Sequence, residues 1–167
     1  MLVYQAFRYE LAPTATQRVA LANHAGAARW AWNWGLSIRR KAWQRRGETL
    51  GAIELHRLLT RLKRTPGYEW LYEVSKCAPE EALRDLDRAY ANFWRGRKLG
   101  RRVGQPRFKK RGRCPERFRL AGVIRVEPRS VVLPRIGRVR TREATSKFAA
   151  VFCRLPAAGR PTVGMLR

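Results

Sequence analysis

Twelve lysines and arginines fall between Arg95 and Arg119, opposed only by Glu116 and interrupted by Gly96, Gly100, Gly104 and Gly112. Such a stretch does not build one continuous helix. Each interior glycine costs about 1 kcal/mol relative to alanine, and nothing offsets the crowding of like charge. The basic run therefore divides the chain. Before it, apolar residues recur at helical spacing; after it, short β-branched runs alternate with turn residues.

The first part opens with Val3–Leu11, which alternates loosely between apolar and polar residues and predicts a half-buried strand ended by Pro13. Thr14 stands three residues before Gln17, the spacing of a capping box. A helix follows, carrying Val19, Ala22 and Ala25, with Gly26 as its expected break. A second helix is expected over Ala27–Arg46, with Trp30, Trp34 and Ile38 on one face and Gly47 as its stop. Two helices joined near a glycine resemble a helix-turn-helix, although most helix pairs of that spacing simply pack. The tryptophans read better as core than as platforms for bases.

A third helix is predicted over Ala52–Arg64 from Leu55, Leu58, Leu59 and Leu62, ended by Pro66 and Gly67. A fourth begins near Pro79, with Glu80 and Glu81 in its first turn and Leu83, Leu86, Tyr90 and Phe93 as its apolar face. Beyond the basic run, Val123–Val126 and Val131–Leu133 flank Glu127–Ser130 as a hairpin, and Ile136–Arg140 adds a strand. From Phe148 onward, Pro156, Gly159, Pro161 and Gly164 interrupt every regular pattern. The expected fold class is α+β.

The charge narrows the partners. Thirty-seven Lys and Arg against 12 Asp and Glu leave a net charge of +25 over 167 residues. A compact chain with that excess repels itself unless a polyanion neutralises it. Nucleic acid leads; an anionic membrane surface is second. No apolar run nears the roughly 20 residues of a spanning helix, and the alternating N-terminus is unlike a signal peptide, so a cytoplasmic chain associated with the nucleoid is expected. Cys77, Cys114 and Cys153 form no CxxC pair, and His24 and His56 stand alone, so no metal site is expected. No phosphate-cradling loop or other cofactor motif occurs. Asp85 and Asp87 point to different faces of their helix, and Glu81 and Asp85 lie beside Arg84 and Arg88. Ion pairing explains these acids better than a metal-dependent nuclease centre does.

The basic run is the strongest functional signal. Its candidate nucleic-acid ligands are Arg95, Arg97, Lys98, Arg101, Arg102, Arg107, Lys109, Lys110, Arg111, Arg113, Arg117 and Arg119. Arginine forks match phosphate oxygens. The interleaved Phe108 and Phe118 either stack on bases or pack in a core, and the sequence favours neither.

These residues resemble the N-terminal half of TnpB proteins, RNA-guided nucleases encoded by insertion-sequence transposons. The resemblance rests on ARWAWNWGLSIRRKAW (28–43), LLTRLKRTPGYEWLYEV (58–74), ALRDLDRAYANFWRG (82–96), VGQPRFKKRGR (103–113) and LPRIGRVRTR (133–142). It implies a β-barrel-like wedge domain (1–12 plus 115–147) with a helical recognition lobe of about four helices (13–98) inserted in it. A basic linker (99–114) and an irregular tail (148–167) complete the expected plan. It also implies a structured guide-type RNA and double-stranded DNA as partners. The DNA contact would involve Ala52 and His56 with Lys76, Cys77, Glu80 and Arg84; Glu80 departs from the glutamine common in relatives. The family's metal-dependent nuclease domain has no counterpart in these residues, and the resemblance fades near Ser146. A truncated protein that binds RNA and DNA without cutting is expected. A stand-alone helix-turn-helix regulator, or one half of a split nuclease, are the alternatives.

Overall fold

The computed structural model describes residues 7–121 and 124–146, together with the backbone of 163–166. The chain is α+β, and forms two compact units, Met1–Leu21 with Leu120–Val163, and Ala22–Arg119 with Gly164–Arg167. The expected strand over 3–11 lies partly outside the described residues; within them only β1, Leu11–Ala12, is extended and paired.

In the first unit, β1 joins β3 (Arg125–Glu127), β4 (Ser130–Leu133) and β5 (Gly137–Thr141) in an antiparallel sheet of order β1-β5-β4-β3. The β3–β4 hairpin turns at Pro128 and Arg129 as its sequence predicts, with Glu127 opposite Ser130. The Ser130 hydroxyl donates to the Glu127 carboxylate at 2.6 Å, closing the turn. Between β4 and β5, Leu133 faces Gly137. Gly137 takes φ 85° there, a conformation open to glycine at little cost. Val131, Leu133 and Val139 are buried. The sheet has two edges, so it is open rather than the expected barrel. The Thr14 capping box forms as its spacing requires: Thr14 N–H donates to Gln17 Oε1 at 3.1 Å and Gln17 N–H to Thr14 Oγ1 at 3.3 Å.

The helices number three rather than four among the described residues. Residues expected to form two helices broken at Gly26 form one, α1, Ala15–Arg46. A single interior glycine costs only about 1 kcal/mol. The alanines around it, at 22, 25, 27, 28 and 31, are the best helix formers and offset that cost. Gly47 does end the helix, at φ 65°, with its N–H on the Trp43 carbonyl at 2.9 Å. Helix α2 is Ala52–Leu62 and α3 is Cys77–Lys98, with a 3-10 turn over Glu69–Tyr72.

In the second unit these helices share one core: Trp32 and Leu36 of α1, Leu55 and Leu59 of α2, Leu71, and Leu83 and Leu86 of α3. Trp30, Trp34 and Ile38 pack against it, as core rather than as platforms. Gly35 permits the approach of α1 to α3. A Cβ there would lie 2.6 Å from Leu83 Cδ2. Helix α3 ends in a left-handed cap, Gly100 at φ 67°, with Arg101 N–H on the Gly96 carbonyl at 2.9 Å and Gly100 N–H on that of Arg97 at 3.1 Å.

Two further expectations change. The segment 99–114 is part of the helical unit. The tail is not irregular throughout, because β6, Val163–Leu166, pairs with β2, Arg117–Leu120. Lys147–Thr162 and Arg167 lie outside the described residues.

Candidate nucleic-acid interface

The basic segment folds back from the end of α3 and lies along α1. Val103 begins the return by seating its side chain on Gly96, where a Cβ would stand 2.4 Å from Val103 Cγ2. Four hydrogen bonds then fix the next residues by their backbone. Arg40 donates to the Pro106 carbonyl at 2.9 Å, and Trp32 Nε1 to that of Arg107 at 2.9 Å. Asn33 makes two: Nδ2 donates to the Lys109 carbonyl at 2.9 Å, and its Oδ1 accepts Lys109 N–H at 2.8 Å. Asn33 thus acts on Lys109 as a neighbouring strand would. Gly112, at φ 74°, turns the chain, with Arg113 and Cys114 N–H on the Lys110 carbonyl. Glu116, the one acid of the run, is held by Arg29 of α1 at 3.3 Å.

Around these anchored positions the basic side chains face water. Arg101, Arg102, Arg107, Lys110, Arg111, Arg113 and Arg117 are exposed. None of the seven forms an ion pair with a carboxylate among the described residues. Arg95, Arg97 and Lys98 are exposed on the last turn of α3; Arg95 donates to Asn92 at 3.1 Å, and the Arg97 guanidinium lies 6.0 Å from the Phe93 ring centre. Phe108 is 46% exposed, and the Arg40 guanidinium stands 5.0 Å from its ring centre.

Four predicted ligands stand apart from this row. Phe118 is buried, its ring 5.3 Å from that of His24, and serves the core instead of a base. Arg119 bonds Glu81 at 3.0 Å and Asp85. Arg84 is paired with Glu81 at 2.7 Å. Lys109 lies 3.7 Å from the centre of the Trp32 ring, and its burial, with the Arg117 charge adding, pushes the ammonium below its usual range. Asp87 takes Arg39 at 2.8 Å, and Asp85 also takes Arg88 at 2.6 Å. Glu81, Asp85 and Asp87 of α3 are therefore ion-paired, the pairs with Arg84 and Arg88 at the spacing the sequence offered. Among the described residues no group of three or more His, Cys, Asp or Glu is placed to hold a metal. Nor is any helix there long and apolar enough to cross a membrane.

The positions implied for DNA contact gather at the starts of two helices. Ala52 and His56 lie on the first turns of α2; Lys76 caps α3, and Cys77, Glu80 and Arg84 follow. His56 Nε2 donates to the Glu80 carbonyl at 2.9 Å, joining the two. His24 is buried and accepts Ser75 N–H at 2.9 Å, which makes it a structural residue. The roles of Asn33, Arg40 and the Trp32 indole escaped the sequence reading. Their partners lie some 66 to 76 residues away, so no local spacing signals them.

Known proteins resemble this chain in sequence. Residues 1–48 match a family described as a helix-turn-helix domain, that of the IS605 OrfB proteins. In this chain the matched region holds β1 and α1. A protein of Mycobacterium tuberculosis, provisionally named an RNA-guided DNA endonuclease, is 38% identical over 177 aligned residues, 95% of this chain and 38% of its own length. These matches support kinship with the N-terminal region of the TnpB family. A like-named Escherichia coli protein is 28% identical across 84% of this chain and 34% of itself. Another, from Streptomyces pristinaespiralis, is 33% identical across 65% of this chain and 26% of itself. The chain thus spans 26–38% of the length of these three curated relatives.

Asn33 offers a direct check on the geometry. Asn33→Ala strands the half-buried Lys109 amide, a cost of about 1–3 kcal/mol. The Lys109 amide should exchange with solvent much faster than in the wild type, while amides of the α2–α3 core keep their protection. An unchanged Lys109 rate would mean that α1 does not hold the segment.

Proposed function

We propose that the helical unit binds the scaffold of a guide-type RNA along the row of cations from Arg101 to Arg117, while the starts of α2 and α3 face double-stranded DNA beside a target. The observation that carries this reading is the division of labour in the basic segment. Its backbone is tied to α1 at Pro106, Arg107 and Lys109, and seven of its cations stand exposed without carboxylate partners among the described residues. Holding so many like charges side by side costs self-repulsion that a polyphosphate removes, and each contact releases condensed counterions. Phe108 adds a ring for one base. The names of the relatives, which pair RNA guidance with DNA, support the choice of partners. This role places the chain on the nucleoid.

In this reading the 167 residues bind and do not cut. Phosphodiester cleavage by a metal-dependent nuclease needs converging carboxylates. Glu81, Asp85 and Asp87 are instead taken up by arginines. The test is competition against a labelled structured transcript of the transposon end, with random duplex DNA of equal length as competitor. The transcript should outcompete the duplex, and matched DNA should stay intact with magnesium and guide present. Equal competition would favour a duplex-binding regulator. Guide-dependent cutting that disappears in the Asp85→Ala, Asp87→Ala double variant would restore a nuclease.

A further inference from the structure

A groove of about 550 Å³ opens in the helical unit between α1, α3 and the basic segment. One face of α3 lines it along the length of the helix: Ala78, Ala82, Asp85, Ala89 and Asn92 recur at three- and four-residue steps. From α1 come Ala28 and Trp32, one turn apart. The alanines create the space, since each gives only a methyl group where a longer side chain would close it. Ala28, Ala78 and Ala82 are buried, so the floor is apolar.

The rim is cationic. Arg88, Lys109, Arg117 and Arg119 border the groove with Asp85 as the one acid. Arg88 and Arg119 are bound to that acid. Lys109 and Arg117 form no ion pair with a carboxylate among the described residues, and the charge of Arg117 weighs against that of Lys109. An anion between them would relieve this. Apolar floor, aromatic side and two cations at the mouth are the chemistry of a nucleotide site. The volume falls within the roughly 300–1,000 Å³ of small-molecule sites.

Resting on the reading of the cation row as a phosphate track, we infer that this groove takes one unstacked nucleotide of a single-stranded RNA segment. Its base lies on the alanine floor beside Trp32, and its phosphate between Lys109 and Arg117. The track leads there, because Lys110, Arg111 and Arg113 are exposed between the two rim cations in sequence. Bases of an intact duplex are stacked and cannot enter, whereas splayed bases of single-stranded RNA are what proteins read.

The test uses the full chain carrying Phe108→Ala, which removes the other ring offered to a base, and two probes of equal length and charge, a short oligoadenylate RNA and an abasic ribose-phosphate oligomer. The oligoadenylate should bind about tenfold tighter, the worth of placing one base, with the same salt slope for both. Ala89→Leu fills the groove and should abolish that preference, leaving the abasic oligomer's affinity and slope unchanged. Should this variant fail to fold, photocrosslinking of a 4-thiouridine oligomer to the wild type replaces it, with adducts expected in Ala78–Asn92 or at Trp32. Equal affinity for the two probes, a preference that survives Ala89→Leu, or adducts confined to Phe108 would each overturn the groove assignment. Salt-dependent binding of the abasic oligomer keeps the phosphate track whatever the groove does; loss of all salt-dependent binding would sink the track itself.

Discussion

Changing Arg107, Lys110, Arg111 and Arg113 together to alanine is expected to weaken RNA binding about a hundredfold at low salt and to flatten the salt dependence. Each phosphate that no longer meets a cation lowers the slope of log K against log salt by about 0.7 for a single strand and 0.9 for a duplex. Four such phosphates therefore account for about three units of slope. The set omits Lys109 and Arg119 deliberately. Lys109 rests on Trp32 and Arg119 on Glu81 and Asp85, so removing either perturbs packing as well as charge. The four chosen side chains are exposed, and substitutions of exposed residues shift stability by about 0.5 kcal/mol or less. A filter-binding titration at several salt concentrations reads both quantities. An unaltered affinity and slope would move the polyanion site elsewhere.

Leu83→Ala should produce the largest loss of stability. Leu83 is fully buried in the core shared by all three helices, and its Cδ2 is the atom that faces Gly35. Glycine there gives α1 no side chain with which to fill a cavity, and Leu36, Leu55 and Leu86 are already fully buried. The vacancy should persist, at a cost of about 2–5 kcal/mol. For a unit of this size that lowers Tm by roughly 10–30 °C. The same variant should release the basic segment near its melting point, since Trp32, which holds the Arg107 carbonyl, belongs to that core. A melting curve followed by circular dichroism decides it. A fall of under about 1 kcal/mol would mean that α1 relaxes onto α3 and that Gly35 is not the constraint it looks to be.

Much of this protein could be read along the chain. The helices over 52–62 and 77–98, the Thr14 capping box, the Gly47 stop, the turn at Pro128–Arg129 and the ion pair of Asp85 with Arg88 all depend on residues within a few positions of one another. Periodicity, cap spacing and charge spacing report such contacts directly. The basic run was visible for the same reason, since charge density is a property of the sequence itself.

Tertiary structure decided whatever depended on distant partners. Whether Gly26 breaks a helix is a balance of about 1 kcal/mol, and the alanine-rich flank with the packing of α1 settled it. Phe108 and Phe118 sit in similar basic surroundings in the sequence. One meets water and the other meets His24, because Phe118 lies on β2 against α1 while Phe108 rides on a segment whose backbone α1 holds. The same separation divided the cations. Which of them keep a carboxylate depends on Glu81 and Asp85 reaching Arg119, more than 30 residues away. The sequence by itself determined the α+β class, most of the local elements and the excess of positive charge, because these follow from short-range spacing and summed charge. Only the fold determined which basic residues remain available to phosphate, because availability is the charge left over after every long-range contact has been made.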